Sequence, residues 1–284
     1  MTFVTRFAPS PTGYLHVGHA LSAVMAHDQA RVVDGRFLLR IEDIDHTRCR
    51  PEFVHAILAD LAALGLSWDG PVWHQSDRMR TYTSVLEELK ARELVYPCFC
   101  TRRQVAGASA GTGFDGLIYG GTCAGLGQSE IDARLADGAV PAWRLRLRHA
   151  LALTGEVTWQ DEQAGAQQWA GDGLGDVVVA RRDIGTSYHL AVTVDDAAQG
   201  ITHVIRGRDL FHQTSVHVLL QMLLDLPRPR YLHHRLVQDG AGRKLSKSEG
   251  VRSLRDIFAD GTDAGSLVGH LRSMMAGTSP WDSV

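Results

Sequence analysis

Long apolar runs are missing from this 284-residue chain, and none approaches the roughly 18 residues that a membrane-spanning helix requires. The N-terminus, MTFVTRFAPSPTG, has no extended apolar segment behind a basic start, so it does not read as a secretory signal. Excess charge is missing too. The 29 basic residues face 32 acidic ones, a net charge of -3, which offers nucleic acid no general positive field, although a local patch is enough to bind it. Cysteine is scarce: only Cys49, Cys98, Cys100 and Cys123 occur, which excludes a disulfide scaffold. Three of the four fall within 26 residues, a pattern that favours a metal or nothing. Lysine is scarcer still, with Lys90, Lys244 and Lys247 set against 26 arginines. Repeats and low-complexity linkers are absent. What is present, 44% hydrophobic and 21% charged residues, suits a soluble cytoplasmic enzyme, long enough to bury roughly 75% of its extended-chain surface.

Punctuation along the chain predicts an α/β protein. VTRFA reads as a first strand, running into the Pro/Gly turn PSPTG and then a helix over 18–33. RFLLRIED is a compact apolar strand, and Pro51 opens a helix that stops at Gly65. VWHQSD is a short strand or loop, and RMRTYTSVLEELKAREL an amphipathic helix. This alternation starts a doubly wound parallel sheet of Rossmann-like type. Residues 96–142 break it with Cys-x-Cys, a glycine-rich stretch and a short helix near 129–136, as an insertion with little core of its own. WRLRL, EVTW, DVVVARRD, YHLAVTVDD, ITHVIRG and RYLHHRLV are expected strands, with a helix over 209–224. The expected organisation is a first half of a nucleotide-binding domain at 1–95, the insertion at 96–142, a second half at 143–250, and a short helical segment at 251–284.

Two motifs carry chemistry. In RFAPSPTGYLHVGHA, glycines permit close backbone approach, and His16 and His19 stand three apart at a helix start. They suit ordinary capping, or hydrogen bonds to triphosphate oxygens at a helix N-terminus. Far along the chain, Lys244-Leu-Ser-Lys247-Ser lies between glycines. It suits a solvated basic turn, or a loop that closes over a triphosphate. Neither motif is a dinucleotide fingerprint or a P-loop. Together in one chain they point to a triphosphate.

PSPTGYLHVGH resembles the HIGH-type signature, and KLSKS the KMSKS-type signature, of class I aminoacyl-tRNA synthetases. With FLLRIEDID, YHLAVTVDD and HVIRGRDLF added, residues 3–250 resemble the glutamyl-tRNA synthetase catalytic domain. The resemblance implies ATP at the C-terminal edge of the sheet, attack by an amino-acid carboxylate on its α-phosphate, and release of pyrophosphate. It implies catalytic roles for His16, His19, Lys244 and Lys247, and ATP contacts from His16, Gly18, His19 and Lys247. Glutamate offers two carboxylates and an ammonium, so its site needs guanidinium groups and a carboxylate. The positions that the resemblance assigns are Arg6, Ser10, Glu42, Tyr188 and Arg206, with Glu42 on the ammonium and the arginines on the carboxylates, in either order. Any one of these alone also suits a sheet-edge salt bridge. Asp43 and Asp45 suit capping or salt-bridging of the following loop, and Asp195-Asp196 could orient Arg206 or the lysine loop, or solvate a strand end. Mg²⁺ is expected to arrive with ATP, its ligands unassigned.

Cys98, Cys100 and Cys123 leave a four-coordinate site one ligand short, with no histidine between Cys100 and Cys123. The resemblance supplies Tyr119, in a Cys-x-Cys then Tyr-x-x-x-Cys arrangement holding one structural zinc. The chain ends 36 residues after Ser248, and is expected to lack a large anticodon-reading region. In this it resembles the stand-alone bacterial glutamyl-Q tRNA(Asp) synthetases. That implies activation of L-glutamate without tRNA, then transfer to the cyclopentenediol of queuosine in tRNA(Asp), by a monomer. Arg102, Arg103, Arg181 and Arg182 are candidates for RNA docking. Two other readings are a minimal glutamyl-tRNA synthetase acylating a tRNA 3′ end, and a non-enzymatic RNA-binding domain with a vestigial nucleotide site.

Overall fold

The computed structural model describes residues 2–114, 116–237 and 252–275. The chain begins β1 (Val4–Phe7), α1 (Val17–Val32), β2 (Arg36–Ile41), α2 (Pro51–Ala63) and β3 (Trp73–His74). A 3-10 turn (Gln75–Arg78) leads to α3 (Met79–Ala91). Next come β4 (Val95–Cys98), α4 (Arg102–Gly107), β5 (Thr112–Gly113), β6 (Gly116–Leu117) and α5 (Gln128–Ala136). Then follow β7 (Ala142–Leu145), α6 (Leu147–Thr154), β8 (Val157–Asp161), β9 (Gly165–Trp169) and β10 (Val178–Ala180). The last elements are α7 (Tyr188–Ala198), β11 (His203–Gly207), α8 (Thr214–Leu223), β12 (Arg230–His234), α9 (Leu254–Ala259) and α10 (Ala264–Met275).

β1, β2 and β3 are parallel, as are β11, β12 and β8, with β9 antiparallel beyond β8. The two groups meet where β1 lies beside β11: the Thr202 N–H donates to the Val4 carbonyl at 2.9 Å, and the Val4 N–H to Thr202 Oγ1 at 2.8 Å. The sheet therefore grows outward in opposite directions from the β1–β11 seam. In a doubly wound fold this switch point opens a crevice beyond the carboxyl ends of the strands. Both faces are covered, so β2 is buried along nearly its whole length. Phe37, Leu39 and Ile41 pack on the α1 and α2 side with Val24 and Leu61, whereas Leu38 faces Leu86, Leu190 and Val216 on the other.

The segment YHLAVTVDD, expected as a strand, is helix α7. Ser187 caps it by accepting from the Leu190 N–H at 3.3 Å. His189 to Asp196 are all buried. A helix buried on every side has no polar stripe, so its apolar run imitates a core strand. The helix expected over 209–224 is a 3-10 turn at Arg208–Leu210 followed by α8. A second sheet, ordered β10-β7-β4 and antiparallel, carries Cys98 at the end of β4. Its small core of Tyr96, Cys98, Tyr119 and Cys123 is separate from the two large ones.

Candidate active site

A cavity of about 540 Å³ opens at the seam, beyond the ends of the parallel strands. Arg6 from β1, Ser10 from the turn after it, His16, Gly18 and His19 at the start of α1, and Glu42 just past β2 all line it. Tyr188 at the start of α7 and Arg206 in β11 close the far wall. The structure thus brings together eight of the residues that the sequence singles out. Lys244 and Lys247 lie outside the described residues. On either side of that segment, Val237 lines the cavity and Ser253 bridges to His16.

The two histidines cap α1. His16 Nδ1 accepts from the Gly18 N–H at 3.1 Å, and His19 Nδ1 accepts from the His16 N–H at 3.2 Å. A Cβ at position 18 would come within 3.0 Å of the His16 ring, which explains the glycine. With each Nδ1 used as an acceptor, the proton of each neutral ring sits on Nε2, the nitrogen able to donate to a phosphate. Capping and phosphate binding are therefore compatible.

The two cavity arginines differ in kind. Arg6 donates to Asp196 through Nε at 2.9 Å and Nη2 at 3.3 Å, and Asp196 also accepts from Arg40 at 2.5 Å. Burial opposes ionisation of Asp196, yet Arg6 and Arg40 hold its carboxyl below its ordinary value. Arg206 is buried and, among the described residues, pairs with no carboxylate. Its donors go to His233 Nε2 at 3.1 Å, Tyr188 Oη at 3.3 Å, His217 Nδ1 at 3.3 Å, the Leu210 carbonyl at 3.3 Å and Thr214 Oγ1 at 2.7 Å. All these acceptors are neutral when the rings are neutral, so the guanidinium keeps its charge for an incoming anion. Glu42 is the converse: burial pushes its carboxyl up to about 7, against the pull of Arg40 and Arg6. A cation brought beside it would lower that value and be held by it. The cavity offers sites for carboxylates and for one ammonium.

The neighbouring acids are structural. Asp195 and Asp196 lie within α7, and Asp196 orients Arg6 rather than Arg206. Asp195 takes Arg78 at 2.6 Å, the Tyr82 hydroxyl at 2.7 Å and Gln75 at 3.1 Å, anchoring α3. Asp43 accepts from the Ser76 N–H at 2.8 Å, and Asp45 caps its own loop through Thr47 and Arg48. Arg181 is half-buried and engaged by Asp45 and Asp183, whereas Arg182, which donates to the Cys100 carbonyl, and Arg102 and Arg103 on α4 are exposed. Arg40, Asp161, His217 and His233 were not singled out from sequence. The available signal was histidine set inside apolar runs, in SVHVLL and RYLHHRL, where a buried imidazole demands a partner.

The Sγ atoms of Cys98, Cys100 and Cys123 lie within 4.8 Å of one another. The Tyr119 hydroxyl is 3.4 Å from Cys98 Sγ and 3.5 Å from Cys100 Sγ, and it accepts from the Cys123 N–H at 2.9 Å. Arg144 stacks over the Tyr119 ring at 3.8 Å and brings positive charge to the cluster. Three thiols at this spacing can coordinate a metal ion. Cys49 stands apart, against the Glu42 carbonyl.

The family of class I tRNA synthetases (E and Q), catalytic domain, matches residues 2–272. The glutamyl-Q tRNA(Asp) synthetase of Rhodobacter capsulatus is 48% identical over 271 residues, spanning 91% of this chain and 95% of the relative. That of Symbiobacterium thermophilum is 42% identical over 278 residues, spanning 94% and 84%. A crystal structure of a glutamate tRNA ligase from Elizabethkingia meningosepticum, in complex with its amino acid, is similar at a TM-score of 0.73 and 26% identity. The glutamate-tRNA synthetase of Elizabethkingia anophelis gives 0.75 at the same identity. Both matches cover 92% of this chain, which spans about half, 54%, of the length of either structure. With the family running through nearly the whole chain and relatives identical at 42% and 48%, the chain belongs to the catalytic-domain family of class I glutamyl- and glutaminyl-type tRNA synthetases.

Proposed function

We propose that the protein uses ATP to activate L-glutamate without tRNA, then esterifies the cyclopentenediol of queuosine in the anticodon of tRNA(Asp). The carrying observation is the cavity itself, where Arg206, which pairs with no carboxylate among the described residues, and the buried Glu42 share walls with the N-terminus of α1. The names of the similar curated relatives support the same acceptor. Arg6 and Arg206 hold the glutamate carboxylates and Glu42 its ammonium, while Ser10 and Tyr188 complete the polar lining. ATP lies across Gly18 with its phosphates toward His16 and His19, and Lys244 and Lys247, which lie outside the described residues, are assigned to offset their charge. The reacting carboxylate oxygen attacks the α-phosphorus, the bond to the β-phosphate oxygen breaks, and pyrophosphate leaves. A diol hydroxyl then attacks the adenylate carbonyl, loses its proton and displaces AMP. No base is needed for the first step, because a carboxylate is already ionised at neutral pH. The chemistry is positioning and charge stabilisation. A tRNA substrate supports a cytoplasmic location.

For the thiol cluster we infer one structural zinc, held by Cys98, Cys100, Cys123 and the Tyr119 hydroxyl. The support is the donor set, and a surrounding core too small to hold the insertion alone. When bound, the ion supplies a cross-link between the end of β4 and the glycine-rich segment.

The test is glutamate-dependent exchange of labelled pyrophosphate into ATP without tRNA, followed by transfer of labelled glutamate to tRNA(Asp) with and without queuosine. Exchange in the absence of RNA, and label confined to queuosine, are expected. Label on the 3′ terminal adenosine, or equal labelling of tRNA lacking queuosine, overturns the proposed acceptor in favour of a minimal glutamyl-tRNA synthetase.

A further inference from the structure

Behind Arg206 runs a chain of buried side chains that the assignment of the cavity does not use. A guanidinium only donates hydrogen bonds, so each ring nitrogen it meets must be bare. His233 Nε2 and His217 Nδ1 are therefore acceptors, at 3.1 and 3.3 Å. A neutral imidazole bare at one nitrogen carries its proton on the other. His233 Nδ1–H consequently donates to Asp161 Oδ2 at 2.6 Å, and His217 Nε2–H to His189 Nδ1 at 3.1 Å. Asp161 is pinned in its turn, because its Oδ1 accepts the backbone N–H groups of Gln163 at 3.0 Å and Ala164 at 2.8 Å. Sheet register contributes as well, since Arg206 and His233 are direct partners across β11 and β12. Burial and the neighbouring cation keep both rings uncharged: His217 is held well below the ordinary histidine value and His233 at about 4.

We propose that His217 and His233 are positioning residues for substrate recognition, fixed as neutral acceptors by His189 and Asp161 so that Arg206 is aimed into the cavity without being neutralised. A carboxylate in either place would hold the guanidinium equally well, and in a low-dielectric wall it would quench the charge meant for the substrate. Imidazole supplies an acceptor with no counter-charge. The two-step relay on each side prevents the ring from turning its N–H toward Arg206. This rests on the reading of the cavity as a glutamate site.

Three substitutions separate charge from packing, read as KM for glutamate and KM for ATP in pyrophosphate exchange, with thermal unfolding alongside. His217→Gln keeps a neutral acceptor and a donor for His189, and its glutamate KM should stay within about threefold of wild type. His217→Glu keeps an acceptor but adds a counter-charge, and should raise glutamate KM by about tenfold or more with ATP KM unchanged. Asp161→Asn tests the relay with the arginine and its acceptor side chains left unsubstituted. The backbone N–H groups need the amide oxygen, so the amide nitrogen must face His233 Nδ1. That drives the ring proton to Nε2, against the Arg206 Nε–H. Glutamate KM should again rise selectively, by about tenfold. Should His217→Glu fail to fold, Asp161→Asn carries the test. Equal glutamate KM in folded His217→Gln and His217→Glu, or glutamate and ATP KM rising together in Asp161→Asn, overturns the proposal. A wild-type protein with no glutamate-dependent exchange overturns the reading of the cavity itself. An active wild type with kinetically silent variants overturns the histidine assignment alone.

Discussion

Glu42 shows how a single buried carboxyl can couple substrate binding to protons. Its value in the free protein is about 7, set chiefly by burial. The folded-state value lies above the ordinary 4.5 of an unfolded chain, so the native state binds the extra proton. Stability from this group is present below the unfolded value and is lost as pH rises through about 7. Replacement by an uncharged isostere, Glu42→Gln, should accordingly stabilise the free protein at about pH 8, by something of the order of 3 kcal/mol, and by almost nothing at about pH 4. Urea unfolding at the two pH values measures this; a destabilised Glu42→Gln at the higher pH would show that Arg40 and Arg6 outweigh burial. Binding has the opposite sign. The ammonium of glutamate needs the ionised carboxyl, so affinity should climb between about pH 5 and 7.5, with close to one proton released per glutamate bound near pH 6. Calorimetry in buffers of different ionisation enthalpy counts that proton, and Glu42→Gln should release none.

At the scale of elements, the first turn of α7 carries the assignment of Tyr188. Ser187 caps that turn, and Tyr188 follows it directly. Ser187→Ala should lower stability by about 1 kcal/mol and raise glutamate KM several-fold, with ATP KM unchanged. Denaturant unfolding and exchange kinetics together check it, and an unaffected glutamate KM would detach Tyr188 from substrate. This helix also marks where sequence reading reached its limit. β1, α1, β2 and α2 were legible because proline, glycine and apolar spacing all agree there. The residues of the cavity were legible as motifs, and they meet although Arg6 and Arg206 lie two hundred positions apart. The type of α7 was not legible, because tertiary burial on all sides removed the periodicity that identifies a surface helix. Nor was the support of Arg206 legible. His233 reaches it through cross-strand register, and His217 from a helix on another layer, relations that no local pattern encodes.

For the molecule as a whole, two large cores hold the sheet and a third, minute one holds the thiol cluster. Chelation of the proposed zinc, or Cys123→Ser, should loosen the region around β4 and the glycine-rich segment while exchange of pyrophosphate persists. Hydrogen exchange by mass spectrometry maps the loosening, and elemental analysis gives the zinc lost. Full protection in metal-free protein would remove the ion from the architecture. The seam between β1 and β11 has a different consequence, set in time rather than space. Val4 leaves the ribosome early, but its neighbour Thr202 is made about two hundred residues later. At roughly 5–20 residues per second, the inner edge of β1 waits on the order of ten seconds or more for its partner. Until then the nascent chain carries Arg6 and Glu42 without Arg206, and a strand with one open side. Such an edge invites pairing with other chains, so synthesis of this enzyme should depend on chaperones that shelter its first hundred residues until β11 arrives.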